Sequence, residues 1–164
     1  MRSIKGNRPS SKSKFVQGYF PINECRKYQG QGPIIYRSSW EKKFCIYCER
    51  NPEIIWWSSE SFCIKYFNVL DNSYHNYFPD FLVNLRNGDT IIVEVKPSVQ
   101  LKKPDMPKSA SKKSIESFKW AHQTWITNMC KKQAAEEFAS VRGWKYLIVT
   151  ENFFKSKPIN ESTN

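Results

Sequence analysis

The chain has 164 residues, an apolar fraction of 40% and a formal charge of +11. Such a length and apolar content suit one domain with a real core and exclude a disordered polymer. No apolar run reaches membrane-spanning length and the polar start from Met1 to Lys14 is no secretory signal, so a soluble intracellular protein with no membrane partner is expected.

In chain order, residues 1–14 carry Arg2, Lys5, Arg8, Lys12 and Lys14 without an acid and read as a flexible arm that contacts phosphates, a solubilising tail being the alternative. The following stretch to Pro33 is rich in Gly, Pro and aromatic residues without a period and is expected to be irregular. Ser38-x-x-Glu41 is a capping box that opens a helix. Trp40, Phe44, Tyr47 and Cys48 share one face of it, and Asn51-Pro52 ends it. Residues 53–57 and 61–67, β-branched and aromatic, are two short strands, and 71–74 a turn.

Two longer strands follow, 77–85 and 90–96. A basic Lys/Pro/Ser loop near 97–112 is broken by Pro97, Pro104 and Pro107 and is expected to be exposed or partly disordered. Ile115, Phe118, His122, Trp125 and Met129 then recur at helical spacing within a helix over 112–142 that stops at Gly143. A strand over 145–150 completes the expected domain, 15–154, and 155–164 is expected to fray. Helix, three or four strands, helix, strand is the order of an α/β fold whose mixed central sheet is flanked by helices.

The five cysteines, Cys25, Cys45, Cys48, Cys63 and Cys130, are odd in number and sit in apolar segments, as reduced packing residues do. Cys45-x-x-Cys48 lacks a second ligand pair and lies on an apolar helix face, which argues against zinc. His75 and His122 stand alone. Trp56, Trp57, Trp120 and Trp125 have faces on which unpaired bases can stack, although core packing is the commoner fate of such rings.

The chemistry is concentrated in the hairpin of 77–85 and 90–96, where Asp80, Glu94 and Lys96 interrupt apolar strands. An unpaired charge there costs several kcal/mol on a rough scale, so these groups are expected to hold a cation or a reacting phosphate. If Arg86, Asn87 and Gly88 form a three-residue loop with Gly88 left-handed, Leu85 faces Asp89 and Asp80 faces Glu94. Phe81, Val83, Leu85, Ile91, Val93 and Val95 then share the opposite, apolar face. A two-residue turn would separate the acids by a face. Two carboxylates suit Mg²⁺, with Mn²⁺ able to substitute.

Pro79-Asp80 followed by Glu94-Val95-Lys96 resembles the PD-(D/E)xK superfamily of restriction endonuclease-like nucleases. The blocks Val16-Gln17-Gly18-Tyr19-Phe20, Tyr36-Arg37-Ser38-Ser39-Trp40-Glu41, Tyr77-Phe78-Pro79-Asp80-Phe81 and Gly143-Trp144 resemble the head completion nucleases of T-even-type tailed phages. The resemblance implies a restriction endonuclease-like core and a Mg²⁺-dependent endodeoxyribonuclease acting on packaged or branched DNA. It implies Asp80, Glu94 and the Val95 carbonyl as metal ligands, Lys96 as the catalytic lysine and Glu41 as a further catalytic carboxylate. Glu41 as a mere helix cap, and for Asp80 and Glu94 a salt bridge with Lys96 inside the sheet or an exposed edge strand, are the structural alternatives. Arg37, Lys102, Lys103, Lys131 and Lys132 complete the expected DNA contacts, while Gln133 reads as an exposed helix residue. Portal or neck proteins are the further partners implied, in the host cytoplasm or the virion head. A non-catalytic head completion protein gripping DNA ends or the portal vertex is the competing function, and a homing or transposon-type endonuclease a third.

Overall fold

Residues 16–156 are described in a computed structural model; the arm with Arg2, Lys5, Arg8, Lys12 and Lys14, and residues 157–164, lie outside the described region. The stretch expected to be irregular contains a ribbon, β1 (Gly18–Phe20) paired antiparallel with β2 (Ile34–Tyr36). A side chain at position 18 would meet the Tyr36 hydroxyl at 2.5 Å, so glycine there leaves room for the tip of that ring. The capping box forms: α1 (Ser39–Arg50) has Ser38 as its N-cap, whose hydroxyl accepts the Glu41 amide at 3.1 Å. Phe44, Cys45 and Cys48 are buried along it, with Trp40 and Tyr47 packed against the same core.

After α1 come β3 (Ile54–Ser59), β4 (Ile64–Asn68) and β5 (Ser73–Tyr77). β4 and β5 form a hairpin of their own, apart from the central sheet. The strand expected over 77–85 is therefore broken. Tyr77 ends β5 opposite Ile64, and β6 (Phe81–Leu85) begins a new pairing. The break falls at Pro79, which is fully buried and has no amide hydrogen for a ladder.

The turn into β7 (Thr90–Val95) is the three-residue one: Gly88 has φ +91°, its amide donates to Leu85 O, and Leu85 N donates to Asp89 O at 2.8 Å. Phe81 accordingly faces Val93, and the pairing carried one step further sets Asp80 against Glu94. A long α2 (Lys112–Ser140) crosses to β8 (Lys145–Val149), parallel to β7, and α3 (Glu151–Ser156) closes the described chain. That helix runs to Ser156, with Phe154 buried in the core.

The central sheet runs β3-β6-β7-β8, with β3-β6-β7 antiparallel and β7-β8 parallel. Each face has its own core. Phe81, Val83, Val93, Val95 and Trp57 pack on α1 and α3, while Leu82 and Ile92 pack with Ile64, Tyr66 and Tyr77 against Ala135 and Ala139 of α2. The free edge of β3 is covered by residues 27–29, where Trp57 N donates to Lys27 O and Gln29 N to Trp57 O. Glu49 of α1 fixes that cover by accepting from Trp57 Nε1 at 2.6 Å and from the Arg26 amide at 2.8 Å.

The apolar stripe of α2 is not the sheet-facing stripe. Ala135 and Ala139 are the buried residues of that helix, while Ile115 is exposed and Phe118, His122, Trp125 and Met129 are only partly covered. Length explains it: 29 residues rise about 44 Å, whereas strands of five or six residues span about 20 Å. The first half of α2 overhangs the sheet and packs on the segment after β7, where Asn128 approaches Gln100 and Lys103 lies over the Trp125 ring.

Candidate active site

Asp80 sits one residue before β6, and Lys96 one residue after β7. The main-chain carbonyl of Asp80 accepts from Glu60 N at 3.2 Å, and Asp80 Oδ2 accepts from the Val95 amide at 2.7 Å. That carboxylate takes the amide which a continued β6 would have paired, so the broken strand itself aims the side chain at β7. Glu94, buried in β7, pairs with Lys96 Nζ at 2.9 Å through Oε1, while its Oε2 is buried without a hydrogen-bond partner. The Lys96 main chain is pinned too: its amide donates to Val149 O, and Ser98 donates twice to the Glu151 carboxylate.

Burial, then the charges of Glu94 and Glu41, push the Asp80 carboxyl well above the usual carboxylate range. The phenols of Tyr77 and Tyr146 are pushed up by burial and then by Glu94, and the Tyr77 hydroxyl is also buried without a partner. Negative charge is thus concentrated in a poorly hydrated place, and one carboxylate oxygen has nothing to bond. A cation with hard oxygen preferences fits that deficit.

Among the described residues no three Asp, Glu, His or Cys side chains stand at metal-ligand spacing. The fit is therefore to an ion that takes one or two carboxylates and fills its remaining positions from water or phosphate, as Mg²⁺ does.

Glu41 is engaged as a cap. Its Oε1 accepts from the Ser38 hydroxyl at 3.0 Å and its Oε2 from the Arg37 amide at 2.7 Å. It still contributes to the local field, since burial raises its own carboxyl and its charge acts on Asp80. Arg37, expected on DNA, is bound through two nitrogens to Glu60. Glu60 has φ +45° and donates its amide to Asp80, so a backbone position that costs an L residue energy supports the acid. Nothing in the sequence around Glu60 signals that role.

Lys131, expected on the DNA backbone, lies half-buried. Its ammonium stands 5.5 Å from the centre of the Tyr77 ring and 5.7 Å from that of Tyr66. Burial and then the repulsion of Lys96 hold it below the usual lysine value. Lys132 pairs with Glu136 at 3.7 Å, Gln133 is exposed and donates to Glu137, and Lys102 and Lys103 are exposed. Cys45 and Cys48 are free, fully buried thiols raised by burial, and His75 is held by Asp71 at 2.6 Å.

A mixed sheet covered by helices on both faces, with two acids and a lysine gathered at the end of two adjacent strands, defines a restriction endonuclease-like nuclease core. The chain belongs to the TnsA-like endonuclease family, whose N-terminal domain model matches residues 51–151 and so takes in Asp80, Glu94 and Lys96. It is also 35% identical over 127 residues to the head completion nuclease of Enterobacteria phage T4, across 77% of this chain and 85% of that protein.

Proposed function

We propose that this chain is a Mg²⁺-dependent DNA endonuclease, with Mn²⁺ able to substitute, which hydrolyses phosphodiester bonds in packaged or branched phage DNA during head completion in the host cytoplasm. The observation that carries the chemistry is the unpartnered, buried Oε2 of Glu94 beside an Asp80 whose charge is already disfavoured. The relative from phage T4 supports the setting through its name.

Asp80, Glu94 and the main-chain carbonyl of Val95 would hold the ion. When bound, it supplies the positive charge that offsets the scissile phosphate and makes a nearby water more acidic. Lys96 is already restrained by Glu94 at 2.9 Å and orients the attacking water or offsets charge developing on the phosphate. Lys131 adds a second cation from α2, and burial enlarges the effect of both. The basic arm and Lys102 and Lys103 attract the polyanion without reading its sequence.

Purified protein incubated with linear and branched duplex DNA tests this. Nicking or cutting that needs Mg²⁺ or Mn²⁺ is expected, with a loss of roughly 10³-fold or more in Asp80→Ala and Glu94→Ala. Cleavage unchanged in both variants, or DNA bound and never cut, would leave the non-catalytic alternative, a protein that grips DNA ends or the portal vertex.

A further inference from the structure

The stripe of α2 that ends at Lys131 runs back through Asn128, Thr127, Thr124 and Gln123 to Trp120, each three or four residues from another of the set. Together with Leu70, on the turn between β4 and β5, it lines a groove of about 360 Å³. Trp120 is 66% exposed in an otherwise polar stripe, and among the described residues no ring stacks on it. An indole left in water on a helix overhang contributes nothing to the core, whose sheet-facing contacts on α2 begin near Cys130. Leu70, 44% exposed, gives the opposite wall a second apolar surface.

We infer that this groove binds an unpaired strand of the DNA substrate, with one base stacked on Trp120 and the backbone led along α2 to Lys131 and the acids. The inference rests on the proposed nuclease function and deepens it by naming the substrate class as DNA with a single-stranded flap or tail. Three features select that occupant over a duplex. The volume lies at the low end for a small-molecule site and is on the scale of a single nucleotide. An aromatic platform followed by uncharged amide and hydroxyl groups, with a cation at the inner end, matches base, sugar and phosphate in turn. The groove also reaches toward the site, because Lys131 lines it and its ammonium stands 5.5 Å from the centre of the Tyr77 ring, three residues before Asp80.

Trp120 and Lys131 are separated by about 16 Å of helix. That is about five nucleotides at a stacked rise of about 3.4 Å, and fewer when the strand is extended. The stacked base therefore belongs within about five nucleotides of the scissile phosphate.

The test uses the full chain in EDTA, so that binding is read without cleavage, and compares a blunt duplex with the same duplex bearing a five-nucleotide single-stranded tail. A 2-aminopurine placed in the tail reports stacking. Wild type is expected to bind the tailed duplex more tightly and to quench the probe. Trp120→Ala should lose roughly 5- to 150-fold of that advantage, the fold-change that about 1–3 kcal/mol of base stacking converts to, and Trp120→Phe should recover most of it. Blunt-duplex binding should be the same in all three. If Trp120→Ala keeps the tail advantage and the quench, or wild type shows neither, the inference is overturned and the indole is left to serve a protein partner. Cleavage of a plain branched substrate in Mg²⁺, run alongside with Asp80→Ala, separates failure of this inference from failure of the nuclease assignment.

Discussion

The two faces of the central sheet each carry an apolar core, but the candidate catalytic charges stand on the α2 side alone. On the α1 side Phe81, Val83, Val93 and Val95 meet Phe44, Cys45 and Trp57 in a closed apolar core. On the α2 side the intervening residues Asp80, Glu94 and Lys96 stand among Tyr77, Tyr146 and Lys131, with two buried polar atoms unpartnered. Strand alternation makes this possible, since neighbouring residues cannot share a surroundings. One face supplies the rigidity that holds the other, less favourable arrangement in place.

The sharpest way to break that division is to weaken the apolar face alone. Phe81 is 2% exposed, with its ring centre 4.8 Å from Phe44 and 6.0 Å from Trp57. Phe81→Ala should lower the unfolding free energy by about 3–5 kcal/mol, read by urea titration. It should also lower cleavage, because Asp80 precedes it directly and hangs from the same strand end. A variant that lost the stability but kept wild-type turnover would show that the two faces are uncoupled.

How much of this was legible in the sequence follows from what each feature depends on. The hairpin register was legible because Gly88 can take a left-handed backbone and only an odd loop keeps the apolar residues together. The cap at Ser38 and Glu41 was legible for the same reason, being a bond between residues three apart. The break at residues 78–80 was not, because Tyr77 and Phe81 are both good strand residues and the switch from pairing with β4 to pairing with β3 and β7 depends on which strands the tertiary fold brings alongside. Nor was the place of Lys131. Its stripe is polar, and which turn of a 29-residue helix reaches the acids depends on where Ala135 and Ala139 dock.

The opposite face can be tested by making it more comfortable. In the folded chain Asp80 holds its proton to a higher pH than in the unfolded chain, where a carboxyl titrates near ~3.9. The folded state therefore binds more protons between those two values, and stability falls as pH rises through that window. Asp80→Asn keeps an acceptor for the Val95 amide and removes the charge, so its stability should be flatter with pH and higher than wild type at neutral pH. Mg²⁺ should recover stability in wild type, by about 2.7 kcal/mol at a hundredfold excess over the dissociation constant, and leave Asp80→Asn nearly unmoved. Thermal melts across pH, with and without the ion, read both. A steeper loss in the variant would mean that Asp80 is a favourable partner of Lys96 and not a strained one.

The smallest effects separate the two roles of Glu41, which lies on α1 yet acts on Asp80. Ser38→Ala removes the hydroxyl that caps Glu41 N and should cost about 1 kcal/mol of stability. Glu41→Gln keeps an oxygen for the Arg37 amide and is itself a residue that capping boxes accept, so stability should change by less than that. If Glu41 is only a cap, Glu41→Gln cleaves DNA as wild type does and Ser38→Ala is the worse variant by both measures. If its charge belongs to the reaction, the order inverts for cleavage alone: Glu41→Gln melts like wild type and turns over many times more slowly. A cap is a bond to an amide, which either an amide or a carboxylate oxygen can make; a contribution to the ion or the phosphate is a matter of charge, which only the carboxylate has.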